Sequence, residues 1–397
     1  MSGWKVSTLG EVADLALGKM LDQAKNKGEL LPYLANINVR WGEFDLDGLR
    51  EMRFEAHEMA RYALRYGDIV MCEGGEPGRC AIWKNREFGL MFQKALHRIR
   101  PDDSLDSSYL YYAFLNLRKS DGFATYFTGS TIKHLPREQL AKVEVRFPEI
   151  STQQKVAAVL SAYDDLIANN QRRIMLLERM AEDIYREWFV RLRFPGYEQV
   201  KIEKGVPQGW VQRRFGEFCV LKRGYDLPDS AIEPGPYPVI ASTSIKAHHK
   251  FFKTLPPVIT TGRSGSLGDV LYVNAKAWPL NTALYVKDFC GNSPFLIFYT
   301  LKNMGLETFN AGAGVPSLNR NHLNGISIAV PPSAVQTAFD AKLSPIFKLK
   351  EGLEKQVELL KAPRDALLPR LISGKLAVDA LDIRFPPGMQ LADKINL

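Results

Sequence analysis

STQQKVAAVLSAYDDLIANNQRRIMLLERMAEDIYREWFVRLR, running from Ser151 to Arg193, repeats its apolar residues on a regular beat. From Val156 they fall at alternating spacings of four and three: Val156, Leu160, Tyr163, Ile167, Asn170, Ile174, Leu177, Ala181, Ile184 and Trp188. Such spacing holds one stripe of side chains on one side of an α-helix. Sustained over more than four heptads, it is a coiled-coil seam. Ser151 or Thr152 is placed to cap the helix, Pro148 ends the strand before it, and Pro195-Gly196 stops it. At 1.5 Å per residue the helix is roughly 60 Å long. A neighbouring domain of about 150 residues cannot bury so long a seam.

A second helix repeats the frame 183 residues later, through Phe339, Leu343, Ile346, Lys350, Leu353, Val357, Leu360, Arg364, Leu367 and Leu371. Its length predicts pairing with the first helix; the competing arrangement lays each helix on its own domain. Asn170 and Lys350 suit a register-setting role, since a polar seam residue accepts few partners. Pro345, Pro363 and Pro369 each remove a hydrogen-bond donor and predict a bent or broken second helix, ending at Ser373-Gly374.

The two helices close two copies of one longer unit. Gly3-Trp4, Gly10-Glu11 and Gly18 recur as Gly209-Trp210, Gly216-Glu217 and Gly224, all at an offset of 206. Pro32-Tyr33 matches Pro236-Tyr237 at 204, and Gly75-Glu76-Pro77-Gly78 matches Gly265-Ser266-Leu267-Gly268 at 190. Ala95-Leu96 and Tyr109-Leu110 find counterparts at 188 and 186. The offset then holds at 183 through Gly129, Leu135, Arg137, Leu140, Pro148, Gln153 and Leu176-Leu177. Ordered matches with a stepwise offset point to duplication, at a period far too long for a solenoid. The largest step gives the first copy extra residues around Trp41 to Ala63. Two modules that share a scaffold but differ in a loop region suggest related readers with different targets.

Each copy reads as mixed α+β. Asp68–Met71, Ala81–Trp83, Val258–Thr260 and Val270–Val273 have strand patterns, whereas Tyr109–Leu115 and Phe295–Tyr299 read as helices facing a core. Glycine turns, Glu73–Arg79 and Gly262–Gly268, lie between strands, where a backbone can approach a ligand and an Arg can grip guanine or phosphate. A plain hairpin turn fits them equally well. Lys246–Lys253 interleaves bases and aromatics in a predicted loop, a pattern that suits nucleic acid. Loops Gly129–Leu135 and Gly312–Arg320 offer hydroxyls, amides and cations suited to phosphate, or seat the helix on its module.

The 397 residues have a formal charge of +8, and the pI near 9.1 attracts polyanions. With 46% hydrophobic and 24% charged residues the composition is that of a globular protein. No apolar run reaches membrane-span length, and Met1–Lys5 does not open a signal peptide. The scattered Cys72, Cys80, Cys219 and Cys290 read as reduced thiols of a cytoplasmic protein, without zinc spacing. His248-His249 lacks neighbouring ligands, so no metal site is expected. A P-loop is absent, no Pro-Pro pair (Pro256-Pro257, Pro331-Pro332, Pro386-Pro387) follows Asn or Asp, and Asp340-Ala341-Lys342 sits inside the second helix. Catalysis by this chain alone is therefore not expected.

These features resemble the specificity subunit of type I restriction–modification systems, over nearly the whole chain to about Ala380. The resemblance rests on Gly-Trp-x5-Gly-Glu opening each copy, the glycine turns, and Gly129–Leu135. Its strongest residues are Leu135–Leu140 before Phe147-Pro148, Gln153-Gln154-Lys155, Glu187-Trp188-Phe189, and the string from Arg364 to Gly374. It implies an α+β fold of two repeated target-recognition domains, inverted by a pseudo-twofold and separated by two long antiparallel coiled-coil spacer helices. It implies that each domain reads half of a bipartite asymmetric site in double-stranded DNA, with the helices setting the gap and docking two methyltransferase subunits. S-adenosylmethionine, ATP and Mg are expected on those and on the motor-nuclease subunits, none on this chain, in a prokaryotic cytoplasm.

The expected layout is recognition domain 1–150, spacer helix 151–193, linker 194–208, recognition domain 209–332, spacer helix 333–374 and tail 375–397. Candidate DNA contacts are Lys19, Arg40, Arg79, Lys133, Arg223, Lys246, His248, Lys250, Arg263, Ser264 and Arg320. A scaffold joining two protein-binding modules is the rival function, and a self-sufficient methyltransferase a weaker one.

Overall fold

A computed structural model describes residues 3–22, 24, 26–85, 90–312 and 314–385; Ala313, Pro386-Pro387 and the rest of the tail lie outside the described residues. The chain divides into two compact units, Met1–Asn170 with Lys355–Leu397, and Gln171–Glu354. Both long helices are therefore divided between the units, each contributing one end to the core of each.

Among the described residues the first unit holds nine strands: β1 (Lys5–Thr8), β2 (Ala13–Leu17), β3 (Glu29–Leu34), β4 (Arg50–Phe54), β5 (Ile69–Cys72), β6 (Cys80–Ile82), β7 (Met91–Phe92), β8 (Leu96–Pro101) and β9 (Glu144–Phe147). An antiparallel sheet runs β2-β8-β5-β6, a mixed one runs β4-β3-β7 with β7 parallel to β3, and β1 pairs with β9. All four residues of β5 are buried, as a central strand covered on both faces requires, while β9 alternates exposed and buried. Helix α1 (Ser107–Lys119) is capped by the Asp106 carboxylate, which accepts from the Tyr109 amide at 2.8 Å. Its buried Tyr109, Leu110 and Phe114 meet Ile69, Met71 and Ile99 in one core. That core also takes Val156 and Leu160 of the long helix α2 (Ile150–Tyr185) and Leu368, Leu371 and Val378 from the chain's C-terminal part.

The second unit repeats this plan. After the hairpin β10 (Ile202–Glu203) and β11 (Val206–Pro207) come β12 (Val211–Arg214), β13 (Val220–Arg223), β14 (Tyr237–Ile240), β15 (Ile245–His249) and β16 (Val258–Gly262). They are followed by β17 (Val270–Val273), β18 (Trp278–Pro279), β19 (Ala283–Asp288) and β20 (Ser327–Val330). The sheets run β13-β19-β16-β17 and β15-β14-β18, with β12 paired to β20. Strand for strand, this is the order of the first unit. Helix α3 (Pro294–Asn303) is capped by Ser293, and the core adds Phe339 and Leu343 of α4 (Ser333–Ile372) to Ala181, Tyr185 and Trp188 of α2.

Repeated residues make repeated bonds. Glu11 accepts from the Thr8 amide at 2.8 Å, and Glu217 from the Arg214 amide at 3.0 Å. At Gly18 and Gly224 a Cβ would sit 2.2 Å from the carbonyl oxygens of Gln93 and Leu280, so neither position has room for a side chain. The buried amide of Gln153 donates to Pro148 O and accepts from Asp106 N, both at 2.9 Å. Gln336 donates to Pro331 O at 3.0 Å and accepts from Ser293 N at 2.8 Å. Each glutamine thus ties the start of a long helix to the cap of its module's helix.

Within each unit the long helices run antiparallel. In the first, Asp164 accepts from Arg364 at 2.6 Å and the Gln356 amide oxygen accepts from Asn170 at 3.4 Å. In the second, Lys350 donates to Glu178 at 2.8 Å, and Trp188 and Phe189 pack on Phe339. The polar interruptions of the second seam are thus met by polar partners from the first. Among the named seam positions Leu160, Ile167, Asn170, Leu353 and Val357 are buried; Ile174, Leu177, Ile184, Leu360 and Leu367 are half-buried.

Three expectations about the helices need correction. α4 is continuous through Pro345, Pro363 and Pro369, because each proline removes a single hydrogen bond from a long, packed helix. α2 begins at Ile150, so Ser151 and Thr152 lie in its first turn and do not cap it. Its α-helical part closes at Tyr185, and Arg186–Val190 continue as a π-helical turn, short of Arg193.

Candidate nucleic-acid interface

In both modules the glycine turn and the loop after the module helix are stitched together. The Leu135 amide donates to Glu73 O at 2.7 Å, and its counterpart Leu318 to Arg263 O at 2.8 Å. Isolated β-bridges join Gly74 to His134 and Ser264 to Ser317. Gly75 and Gly265 have φ of +79° and +92°, Gly78 and Gly268 of +88° and +102°, a backbone path that only glycine follows without strain. Each module therefore presents a rigid paired-loop rim on the same framework, with different side chains on it.

On the first module the rim carries a charged and aromatic cluster. Glu76 accepts from Trp41 Nε1 at 2.8 Å, from Arg118 at 2.9 Å and from Arg79 at 3.1 Å. The Arg118 guanidinium lies 4.9 Å from the centre of the Trp41 ring. Burial pushes the Glu76 carboxyl up, but the Trp41 and Arg118 bonds, with the charges of Arg118 and Arg79, outweigh it and hold it below the usual glutamate value. A cleft of about 580 Å³ opens beside this cluster, lined by Gly75, Glu76, Arg118, Phe127, Thr131 and Lys133.

The second module shows a different surface. Lys253 lies 4.8 Å from the Trp278 ring centre and 5.8 Å from that of Tyr225, with Lys222 at 5.3 Å from Tyr225. Lys276 sits 4.7 Å over Phe252, and Lys250 5.5 Å over Phe251. Ammonium groups held on the exposed rings of Phe251 and Phe252 and the half-buried rings of Tyr225 and Trp278 supply phosphate counter-charge and stacking area together. Lys222, Lys276 and Tyr225 were not among the sequence candidates, and Lys253 only closed the Lys246–Lys253 run, because β13, the residues just after it, the 250–254 segment and the residues before β18 come together from distant positions. The paired offset of Tyr225 with the base Lys19 was the available signal.

The family model for the "Type I restriction modification DNA specificity domain" matches residues 1–179 and again 207–359. The chain belongs to this family. Among its relatives, the "Type I restriction enzyme MjaIX specificity subunit" of Methanocaldococcus jannaschii is 27% identical, with 95% of this chain and 94% of that protein covered. The "Putative type I restriction enzyme MjaX specificity subunit" of the same organism is 22% identical over 94% of both. A solved S subunit of a type I restriction–modification system from M. genitalium shares the fold at a TM-score of 0.60 and 17% identity, covering 93% of this chain and 96% of that one.

Within this specificity chain the candidate contacts divide by availability. Lys19 is buried, ion-paired with Glu58 and donating to Arg53 O at 2.9 Å, so the framework consumes its charge. Arg79 is turned inward to Asn36 O at 2.8 Å and Glu76. Arg263 is half-buried and donates from Nε to Asn281 O at 2.7 Å, and Ser264 is half-buried beside it. Arg40, Lys133, Arg223, Lys246, His248, Lys250 and Arg320 are exposed. Several of these carry carboxylate partners: Asp45 for Arg40, Asp226 for Arg223, Asp229 for Lys246 and Glu233 for Lys250. Lys246 and His248 lie on edge strand β15 and not in a loop, because Ile245–His249 pairs with β14.

His249 turns inward, its Nδ1 accepting from the Glu233 amide at 3.0 Å. Asp340 of the Asp-x-Lys string accepts from Ser293 Oγ and serves the helix junction. Cys72, Cys80, Cys219 and Cys290 are free thiols. Among the described residues no helix is long and apolar enough to cross a membrane.

Proposed function

We propose that this chain is the DNA-sequence-specificity subunit of a type I restriction–modification complex, each module reading one half of a bipartite, asymmetric site. The observation that carries this is the duplicated strand order, β2-β8-β5-β6 against β13-β19-β16-β17, with rims that differ in charge and aromatic content. One framework with two unlike reading surfaces fits two unlike half-sites. The antiparallel helices set the gap and dock two methyltransferase subunits, which bring S-adenosylmethionine; motor-nuclease subunits add ATP- and Mg-dependent steps in the cytoplasm. A scaffold that joins two protein-binding modules has no comparable support, since the match is to a DNA specificity domain.

The test is to assemble the chain with its methyltransferase partner and map N6-methyladenine on random DNA. Two short specified blocks separated by a fixed unspecified gap are expected, with affinity that falls linearly on a log scale as salt rises. Methylation without a motif, or a single uninterrupted motif, would overturn the reading.

A further inference from the structure

We propose that Arg118 is a specificity-determining residue of the first module and reads a guanine in its half-site. This deepens the DNA-reading function above and rests on it. A guanidinium reads guanine by presenting two parallel N–H donors to O6 and N7 in the major groove. A fork that must first be ordered loses affinity to side-chain entropy, so a reading arginine benefits from being held beforehand.

Arg118 is held in two ways. Its guanidinium carbon lies over the Trp41 ring, and one amino group donates to Glu76 Oε1. Glu76 is the hydrogen-bond partner of Arg118 among the described residues, which leaves the Nη1 edge of the fork unpaired. The side chain is 49% exposed and stands on the cleft shared with Gly75 and Lys133. Arg79, by contrast, is bonded to Asn36 O and Glu76, and its side chain is only 18% exposed. Its role is to fix the carboxylate that orients Arg118.

The device belongs to one module. Trp41 comes from the 35–49 connection between β3 and β4, which the second module shortens to 241–244 between β14 and β15. At the α1 offset of 186 the counterpart of Arg118 is Met304, and at the glycine-turn offset of 190 that of Glu76 is Ser266. The second module therefore lacks the stack, the carboxylate and the fork together.

The experiment uses the chain assembled with its methyltransferase partner and compares wild type, Arg118→Lys and Arg118→Ala on a randomised DNA library. Arg118→Lys keeps the charge and loses the fork. Both variants are expected to lose guanine preference at one position of one half-site by about tenfold or more, the other half-site staying unchanged. Thermal melting of each variant, with the intact second half-site as internal control, separates loss of reading from loss of folding. An unchanged consensus in Arg118→Ala overturns the proposal. So does uniform weakening on all sequences that Arg118→Lys rescues, which marks a phosphate contact. A wild-type complex without any bipartite motif defeats the DNA-reading function itself, a result distinct from either.

Discussion

At the residue scale, buried polar side chains help hold the rim of the first module in place. His97, near the start of β8, is fully buried and donates from Nε2 to Leu135 O at 2.8 Å, tying the sheet to the Gly129–Leu135 loop. Burial holds its imidazole below the usual 6.5, outweighing the bond to Leu135 and the charges of Glu73 and Glu138. A base with a depressed folded pKa binds fewer protons folded than unfolded. Its stabilising share is present above pH 6.5 and drains away as pH falls through the folded value. Melting temperature is therefore expected to drop more steeply between about pH 7 and 5 in wild type than in His97→Gln; parallel slopes would show that His97 titrates alike in both states. Sequence exposed the loop at Leu135 but not this tie, since a histidine within a strand carries no sign of its partner. The same limit explains Lys19 and Arg79. Their position beside glycines was legible, whereas the Arg53 carbonyl and Glu58 that hold Lys19, and the Asn36 carbonyl that holds Arg79, lie 34, 39 and 43 positions away. The difference between Lys19 and Glu58 is 39 positions, too far for any local pattern to register.

At the element scale, heptad periodicity made both long helices legible because burial of a stripe is written into spacing. The continuity of α4 through three prolines was not legible, because it depends on packing that propensity does not see. Neither was the direction of pairing, which only the resemblance implied. The polar seam positions supply it: Arg364 bonds Asp164, and Lys350 bonds Glu178. Carboxylate neighbours hold both cations in their charged forms; burial pulls the Arg364 and Lys350 pKa values down, yet both end above their usual values. Arg364→Glu should place a like charge against Asp164 and cost about 1–3 kcal/mol in urea unfolding. Adding Asp164→Arg should recover most of that loss. A double mutant no better than the sum of the single changes would remove this pair as a register device. Gln153 offers a second check on the junction. Gln153→Leu leaves the Asp106 amide and the Pro148 carbonyl without their partner, and about 2–3 kcal/mol of destabilisation is expected by the same unfolding measurement. A loss under about 0.5 kcal/mol would mean that the junction holds without the amide.

At the scale of the whole molecule, duplication turns one reading surface into two, and the shared helices are what the two copies have in common. The ends of α2 enter different cores, with Val156 and Leu160 in one and Tyr185 and Trp188 in the other, and α4 does the same with Leu368 and Phe339. If such helices measure the gap between half-sites, gap length must respond to helix length and the half-sites themselves must not. One added turn of about 5.4 Å is worth one or two base pairs, because B-DNA advances 34–36 Å in 10–10.5 base pairs. Insertion near Asn170 alone would leave Gln356 and its neighbours facing the wrong residues, so the clean variant adds a matched turn to α4 beside Gln356. The methylation motif of that variant is expected to keep both specified blocks and to widen its gap by one or two base pairs. An unchanged gap would sink the ruler, even with both blocks intact. Altered blocks at constant gap would instead locate base reading in the helices. The matched insertion therefore separates what the duplicated modules read from what the helix pair measures.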